Sequence, residues 1–78
     1  MWYVYFLELS NKDIYVGFSS NLKYRVKAHN NADVPATSPF LPAKLKSYIA
    51  VDSKKRAISL EKYFKTGSGK AIAIKRLL

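Results

Sequence analysis

From Trp2 to Leu9 the chain carries almost no polar side chain. β-Branched and aromatic residues dominate, which favours a strand. Strand side chains alternate, so Trp2, Val4 and Phe6 share one face and Tyr3, Tyr5, Leu7 and Leu9 share the other. Both faces are apolar. Such a strand belongs inside a sheet that is covered on two sides. The remaining chain must supply its neighbouring strands and the layers that cover them.

Ser10-Asn11-Lys12 is turn chemistry, and Asp13 to Phe18 reads as the return strand. If those residues form the loop, Leu9 faces Asp13 and Leu7 faces Tyr15. Tyr5, Tyr15 and Gly17 then lie on one face, because a slip of one residue would turn every side chain over. A glycine at a strand end marks a bend or a close backbone approach. Ser19, Ser20 and Asn21 are all able to cap a following helix. In that helix Leu22, Val26 and His29 share a stripe, and Arg25 and His29 are i, i+4 neighbours. It ends near Asn30 and Asn31. Pro35, Pro39 and Pro42 make residues 32–43 a loop. A loop of about twelve residues in so small a chain suggests a functional segment.

Lys44 to Val51 alternates again, which predicts a third strand with Leu45, Ile49 and Val51 on one face and Lys44, Lys46 and Tyr48 on the other. Asp52 or Ser53 caps a second helix from Lys54 to about Thr66, whose stripe is Ala57, Leu60 and Phe64. Gly67 is expected to close it. Ser68 then caps a third helix, Gly69 to Leu78, with Ile74, Leu77 and Leu78 on its apolar side. The expected fold is α/β of the α+β type: three antiparallel strands flanked by helices, in the order β-β-α-β-α-α, as a single domain over 1–78.

Charge narrows the function. Fourteen Lys and Arg against five Asp and Glu give a net charge of +9, and a small domain this basic points to a polyanion, most often nucleic acid. A solubilising surface, or a basic face for an anionic membrane, is the alternative. No apolar run approaches the roughly 18 residues of a membrane span. The N-terminus has neither a positive leader nor a small-residue cleavage site, so it is expected as strand. The absence of cysteine excludes a disulfide framework and a thiolate zinc site, and fits a reducing compartment such as the cytoplasm. The chain is expected to be a monomer.

Glu61 stands in the apolar stripe of the second helix. A carboxylate there is costly unless it is paired or binds a cation. It is read as a salt bridge, a stripe edge reaching solvent, or a metal ligand. Tyr5 and Tyr15 are core aromatics, or one of them is a general base. Arg25 is a solvated charge or a guanidinium fork for phosphate. His29, the sole histidine, is a core-edge residue or a proton shuttle. Of the lysines, Lys23, Lys27, Lys44, Lys46, Lys65 and Lys70 are candidate phosphate contacts.

Taken in order, these residues form a pattern. Tyr3-Val4-Tyr5, then Tyr15-Val16-Gly17, then Asn21-Leu22-Lys23-Tyr24-Arg25 with His29, then Leu60-Glu61-Lys62, resemble the GIY-YIG nuclease superfamily. The small single-domain bacterial members and the nuclease domain of the excision-repair incision subunit are the most similar. The segment Phe64 to Lys70 resembles the tail of the small members. The resemblance implies hydrolysis of DNA phosphodiesters with one divalent ion, Mg²⁺ or Mn²⁺. It implies Glu61 as the metal ligand, Tyr15 as the group that deprotonates or positions the attacking water, and Tyr5 as an orienting group. Arg25 would stabilise charge on the phosphate, and His29 would assist Tyr15. The basic surface would meet the DNA backbone, with specificity from DNA shape or from a protein partner. The alternative is a nucleic-acid-binding module of the same fold that cleaves poorly or not at all. Two departures stand out: Tyr3 takes the place of the first motif's glycine, and Phe18 follows Gly17 where some members have lysine.

Overall fold

β1 (Trp2–Glu8) is the middle strand of an antiparallel sheet, with β2 (Ile14–Ser19) on one side and β3 (Lys44–Val51) on the other. The computed structural model describes the whole chain, Met1 to Leu78. Helix α1 (Leu22–Asn30) follows β2, a single 3₁₀ turn (Ser38–Phe40) precedes β3, and α2 (Lys54–Phe64) and α3 (Gly67–Arg76) close the chain. This is the expected element order. No helix is long and apolar enough to cross a membrane.

The central strand is buried on both faces, as its composition requires. Val4, Tyr5, Phe6 and Leu7 are each at most 1% exposed. α2 and α3 cover the face that carries Val4, Phe6 and Val16, with Ala57, Phe64 and Ala73 packed against them. Phe6 meets the Phe64 ring edge-on at 5.1 Å between centroids. The other face carries Tyr5 and Leu7, and Leu22 and Val26 of α1 pack there with Leu9, Ala43 and Leu41.

The β1–β2 register is the expected one: Leu7 faces Tyr15, and Tyr5 faces Gly17. The turn closes with Lys12 N–H donating to Leu9 C=O and Leu9 N–H to Asp13 C=O, both at 2.9 Å. The β1–β3 pair differs from expectation. Phe6 faces Ser47 but Leu7 faces Leu45, so one residue of β3 bulges out. A bulge reverses the alternation beyond it. Leu45 therefore joins Tyr48 beside Tyr3 and α1, while Lys46 turns to a cleft with Glu8, Ile74 and Leu78 on the α3 side.

Local chemistry sets the helix ends. Asn21 caps α1, its side-chain oxygen accepting from Tyr24 N–H at 3.1 Å. At the other end Ala32 N–H donates to His29 C=O and Asp33 N–H to Ala28 C=O, both at 3.0 Å. That pair of bonds needs a left-handed residue after the helix. Ala32 fills the position with φ of 63°. Ser53 caps α2 through Arg56 N–H at 3.1 Å.

The α2–α3 junction departs from the sequence expectation. Gly67 is not a left-handed terminator, since no glycine has positive φ. Thr66 makes the turn instead: its hydroxyl donates to Tyr63 C=O and accepts from Gly69 N–H. α3 thus starts at Gly67, ahead of Ser68. Its buried residues are Gly69 and Ala73, with Leu77 half-buried, whereas Ile74 is 54% exposed. A side chain at position 69 would run into the Tyr63 carbonyl. The stripe of small residues lets α3 lie close against the end of α2.

Candidate active site

Tyr5 is the pivot. Its phenol lies directly across Gly17, and a Cβ there would overlap the Tyr5 hydroxyl and ring carbon. The glycine therefore makes room for an aromatic ring and serves no turn. The Tyr5 hydroxyl lies 2.8 Å from His29 Nε2, and Arg25 Nε donates to it at 3.4 Å. His29 Nδ1 lies 2.7 Å from Thr37 Oγ1, and Thr37 donates to the Val34 carbonyl at 3.4 Å.

The direction of every proton in this chain follows from its ends. A carbonyl only accepts, so Thr37 donates to Val34 and accepts from His29 Nδ1–H. A neutral imidazole then has Nε2 free to accept, so Tyr5 O–H donates to it. The Tyr5 oxygen is left to accept from Arg25. The ionisation of each group agrees. Burial, reinforced by the Arg25 charge, holds His29 below its ordinary value, so the ring is neutral near pH 7. Burial raises the Tyr5 phenol above its ordinary value, with the Arg25 hydrogen bond pulling the other way. Arg25 itself is raised, first by its bond to Tyr5.

Arg25 spends one N–H on Tyr5. Its remaining guanidinium donors have no carboxylate partner, because the protein's one ion pair joins Glu61 to Lys65, at 3.5 Å. Arg25 therefore offers a fixed and unneutralised positive fork on α1.

Tyr15 packs edge-on against His29 and Tyr5, with centroids 5.0 and 6.4 Å apart. No buried polar side-chain atom lacks a partner, and nothing in the chain bonds the Tyr15 hydroxyl, so that hydroxyl meets solvent. Lys65 Nζ sits 5.9 Å from the Tyr15 ring centre. Lys65 and Lys70 line a cleft of about 200 Å³ with Tyr15.

Glu61 sits one helical turn before Lys65. Its side chain is 17% exposed. Its charge acts on Tyr5 only as the smallest of several influences, helping to raise the phenol. The salt bridge anticipated as one reading of Glu61 is thus present. An i, i+4 pair of this kind contributes only about 0.3–0.5 kcal/mol and leaves the carboxylate free to exchange partners. No group of three acidic or histidine side chains converges anywhere in the fold.

The structure therefore joins Tyr5, Tyr15, Arg25 and His29 through direct contacts, and Glu61 is tied to them only through Lys65, whose ammonium lies by both the carboxylate and the Tyr15 ring. No one cavity is lined by all of these groups: Tyr15 lines the cleft with Lys65 and Lys70 at the β2 edge of the sheet, and Tyr5 is buried. Lys65 and Lys70 belong to that edge. Lys23 lines a separate groove against β3, and Lys27 is exposed in the last turn of α1. Lys44 faces Glu8 in the sheet register, and the bulge carries Lys46 to the far side.

Thr37 was not visible from sequence. It is 1% exposed and fixes the far side of His29. Its only sequence signal was the length of the proline-rich loop. Asn30 holds that loop in place, its side-chain amide bonding both Ala43 C=O and Ala43 N–H, at 2.9 and 2.8 Å.

Comparison with known proteins agrees with this architecture. The family model of the GIY-YIG catalytic domain matches residues 1–73. UPF0213 protein SpyM50708 of Streptococcus pyogenes is 39% identical over 64 residues, which cover 81% of this chain and 70% of that protein. UPF0213 protein CPE1444 of Clostridium perfringens is 38% identical over 66 residues, covering 83% and 71%. The solution NMR structure of UPF0213 protein BH0048 from Bacillus halodurans superposes with a TM-score of 0.61 at 26% identity, over 96% of this chain and 84% of that one. With the tyrosine motifs and the two-faced central strand in place, the chain belongs to the GIY-YIG catalytic domain family.

Proposed function

We propose that the protein is a metal-dependent endonuclease that hydrolyses DNA phosphodiester bonds. The observation that carries this reading is Arg25. A guanidinium anchored by a buried neutral phenol, with no carboxylate to cancel it, is a preorganised site for anionic oxygen. Tyr15 and Glu61 supply the other two functions. Tyr15 has a solvent-facing hydroxyl that can hold water in line with a phosphate and, once its own proton has passed to solvent, can as phenolate take a proton from that water. Glu61 offers one carboxylate.

A single oxygen donor suits a hard cation that keeps most of its water, which is the behaviour of Mg²⁺ and Mn²⁺ and not of thiophilic metals. Glu61 would hold that ion, whose charge would offset the phosphate and its leaving oxygen. His29 is unavailable as a ligand, since both ring nitrogens are engaged. His29, Tyr5 and Thr37 act as positioning residues: they set the angle of Arg25 and pack the edge of Tyr15. Lys65 and Lys70 take DNA phosphates on the open edge. An edge of this kind admits a duplex backbone more readily than a closed pocket would. Specificity comes from DNA shape or from a protein partner.

One observation favours the rival reading of a binding module that does not cleave. Glu61 already has a lysine partner, which removes the need for a cation. Plasmid nicking decides between them. Wild type should nick supercoiled DNA only with Mg²⁺ or Mn²⁺, and Glu61→Gln should lose at least 100-fold in rate, roughly the scale of losing one charge-stabilising group. Binding without nicking by wild type under every metal condition would establish the module instead.

A further inference from the structure

The largest groove in the molecule lies away from Tyr15, between α1 and β3. Its volume is about 540 Å³, and Tyr3, Leu22, Val26, Leu45 and Tyr48 supply its apolar walls. Lys23 stands on its rim. None of the five carboxylates lines it. Tyr48 is 52% exposed and Leu45 36%, which leaves aromatic and aliphatic surface in water on a chain of net charge +9. Tyr3 and Tyr48 meet edge to face, 5.8 Å between centroids, so the pair forms a rigid corner.

The groove's position relates it to the candidate active site. Tyr48 is the direct cross-strand partner of Tyr5. Tyr3 lies on the Tyr5 face two residues away, about 7 Å along the strand. Arg25 and Lys23 project from the same helix, α1. Residues two apart on a helix point to different sides, so Lys23 serves the groove while Arg25 serves Tyr5.

We propose that the groove receives an unpaired base, stacked on Tyr48 against the Tyr3 corner, with Lys23 on the adjoining phosphate. Three features select this occupant. An aromatic platform with a lysine rim and no acid is the combination that single strands bind, because every base has a π face and every linkage a negative charge. A base within a duplex cannot reach such a floor. The Asn21 side chain uses only its oxygen in capping α1, so its amide donors remain available to a base edge at the same wall. The inference rests on the nucleic-acid reading above and narrows it to DNA with a single-stranded or flapped segment.

The test measures binding without metal, so that it does not depend on cleavage. Wild type, Tyr48→Ala, Tyr48→Leu and Tyr48→Phe are titrated in EDTA with a single-stranded oligonucleotide carrying 2-aminopurine, and with a blunt duplex of equal length. Wild type and Tyr48→Phe should quench the fluorophore. Tyr48→Ala and Tyr48→Leu should bind the single strand roughly 5- to 150-fold more weakly, the range for losing one base–aromatic stack. Duplex affinity should be unchanged in all four proteins. Tyr48→Leu keeps the apolar bulk, so the comparison survives if Tyr48→Ala fails to fold. Equal single-strand affinity in wild type and Tyr48→Leu overturns the assignment, as does an equal loss on duplex. Wild type that shows the expected preference yet never nicks DNA would sink the nuclease reading and leave the groove assigned. Nicking without any preference does the reverse.

Discussion

Tyr5→Phe removes one oxygen and keeps the ring that lies over Gly17. That oxygen donates to His29 at 2.8 Å and accepts from Arg25 at 3.4 Å. His29 is 0% exposed, so no water can replace the lost donor. An orphaned buried acceptor costs about 1–3 kcal/mol. A change of tautomer offers no escape: Nε2–H would become the unpaired group, and Thr37 would have to give up the Val34 carbonyl. A loss of about 2 kcal/mol lowers Tm by roughly 8–16 °C in a domain of this size. Thermal unfolding followed by circular dichroism at pH 7.5 measures it (roughly one pH unit above the ordinary histidine value). His29→Leu supplies the second arm of a double-mutant cycle. Because the two side chains satisfy each other, the double variant should be more stable than the sum of the single losses, by about 1–2 kcal/mol. Additivity within about 0.3 kcal/mol, or an unchanged Tm in Tyr5→Phe, would refute the buried relay.

The same relay makes stability depend on pH at both ends. His29 is held low in the folded state, so the unfolded chain binds the proton first as pH falls below about 6.5, and stability drops by up to about 1.4 kcal/mol per pH unit. Tyr5 is held high, so stability also declines as pH rises past about 10, where the unfolded phenol ionises first. Urea midpoints against pH should show both flanks, and His29→Leu should flatten the acid one; an acid flank that persists in His29→Leu assigns it elsewhere. At the end of α1, Ala32→Gly should raise stability by about 0.5–1 kcal/mol, because alanine at φ of 63° carries a strain that glycine lacks. A lower Tm in Ala32→Gly would contradict the left-handed geometry assigned there.

Most of the fold was legible because it rests on local patterns. The two-faced apolar run of β1 forces a central, covered strand, and the Ser10–Lys12 turn then sets the β1–β2 register. The cap candidates before α1 and α2 included the residues used, Asn21 and Ser53. Two features were not legible. The β3 bulge is a mismatch between two strands, invisible in either alone, and it moved Leu45 across the sheet. The α2–α3 junction looked like a glycine stop, yet Thr66 serves both helices through one hydroxyl. At the site, the Tyr5–Tyr15–Gly17 face followed from strand parity. The Thr37 contact did not, because a loop residue's partner depends on the path of the whole loop.

The choice of a phenol to hold Arg25 has a consequence for charge. A carboxylate would hold the guanidinium more firmly through two ionic hydrogen bonds, but it would cancel the charge that an anionic ligand needs. A phenol holds it without cancelling it, provided that the phenol stays protonated. Left in water beside an arginine, a tyrosine is drawn toward ionisation, since a nearby cation favours the anion. Burial of Tyr5 opposes that pull and wins, raising the phenol despite Arg25. His29 reinforces the result, because a neutral ring bonded through Nδ1–H to Thr37 only accepts a hydrogen bond from the Tyr5 O–H at Nε2 and has no donor there for a phenolate. The buried histidine therefore need not exchange a proton with any substrate to matter. It keeps Tyr5 neutral and aimed, and through Tyr5 it keeps the positive fork of Arg25 available at the surface.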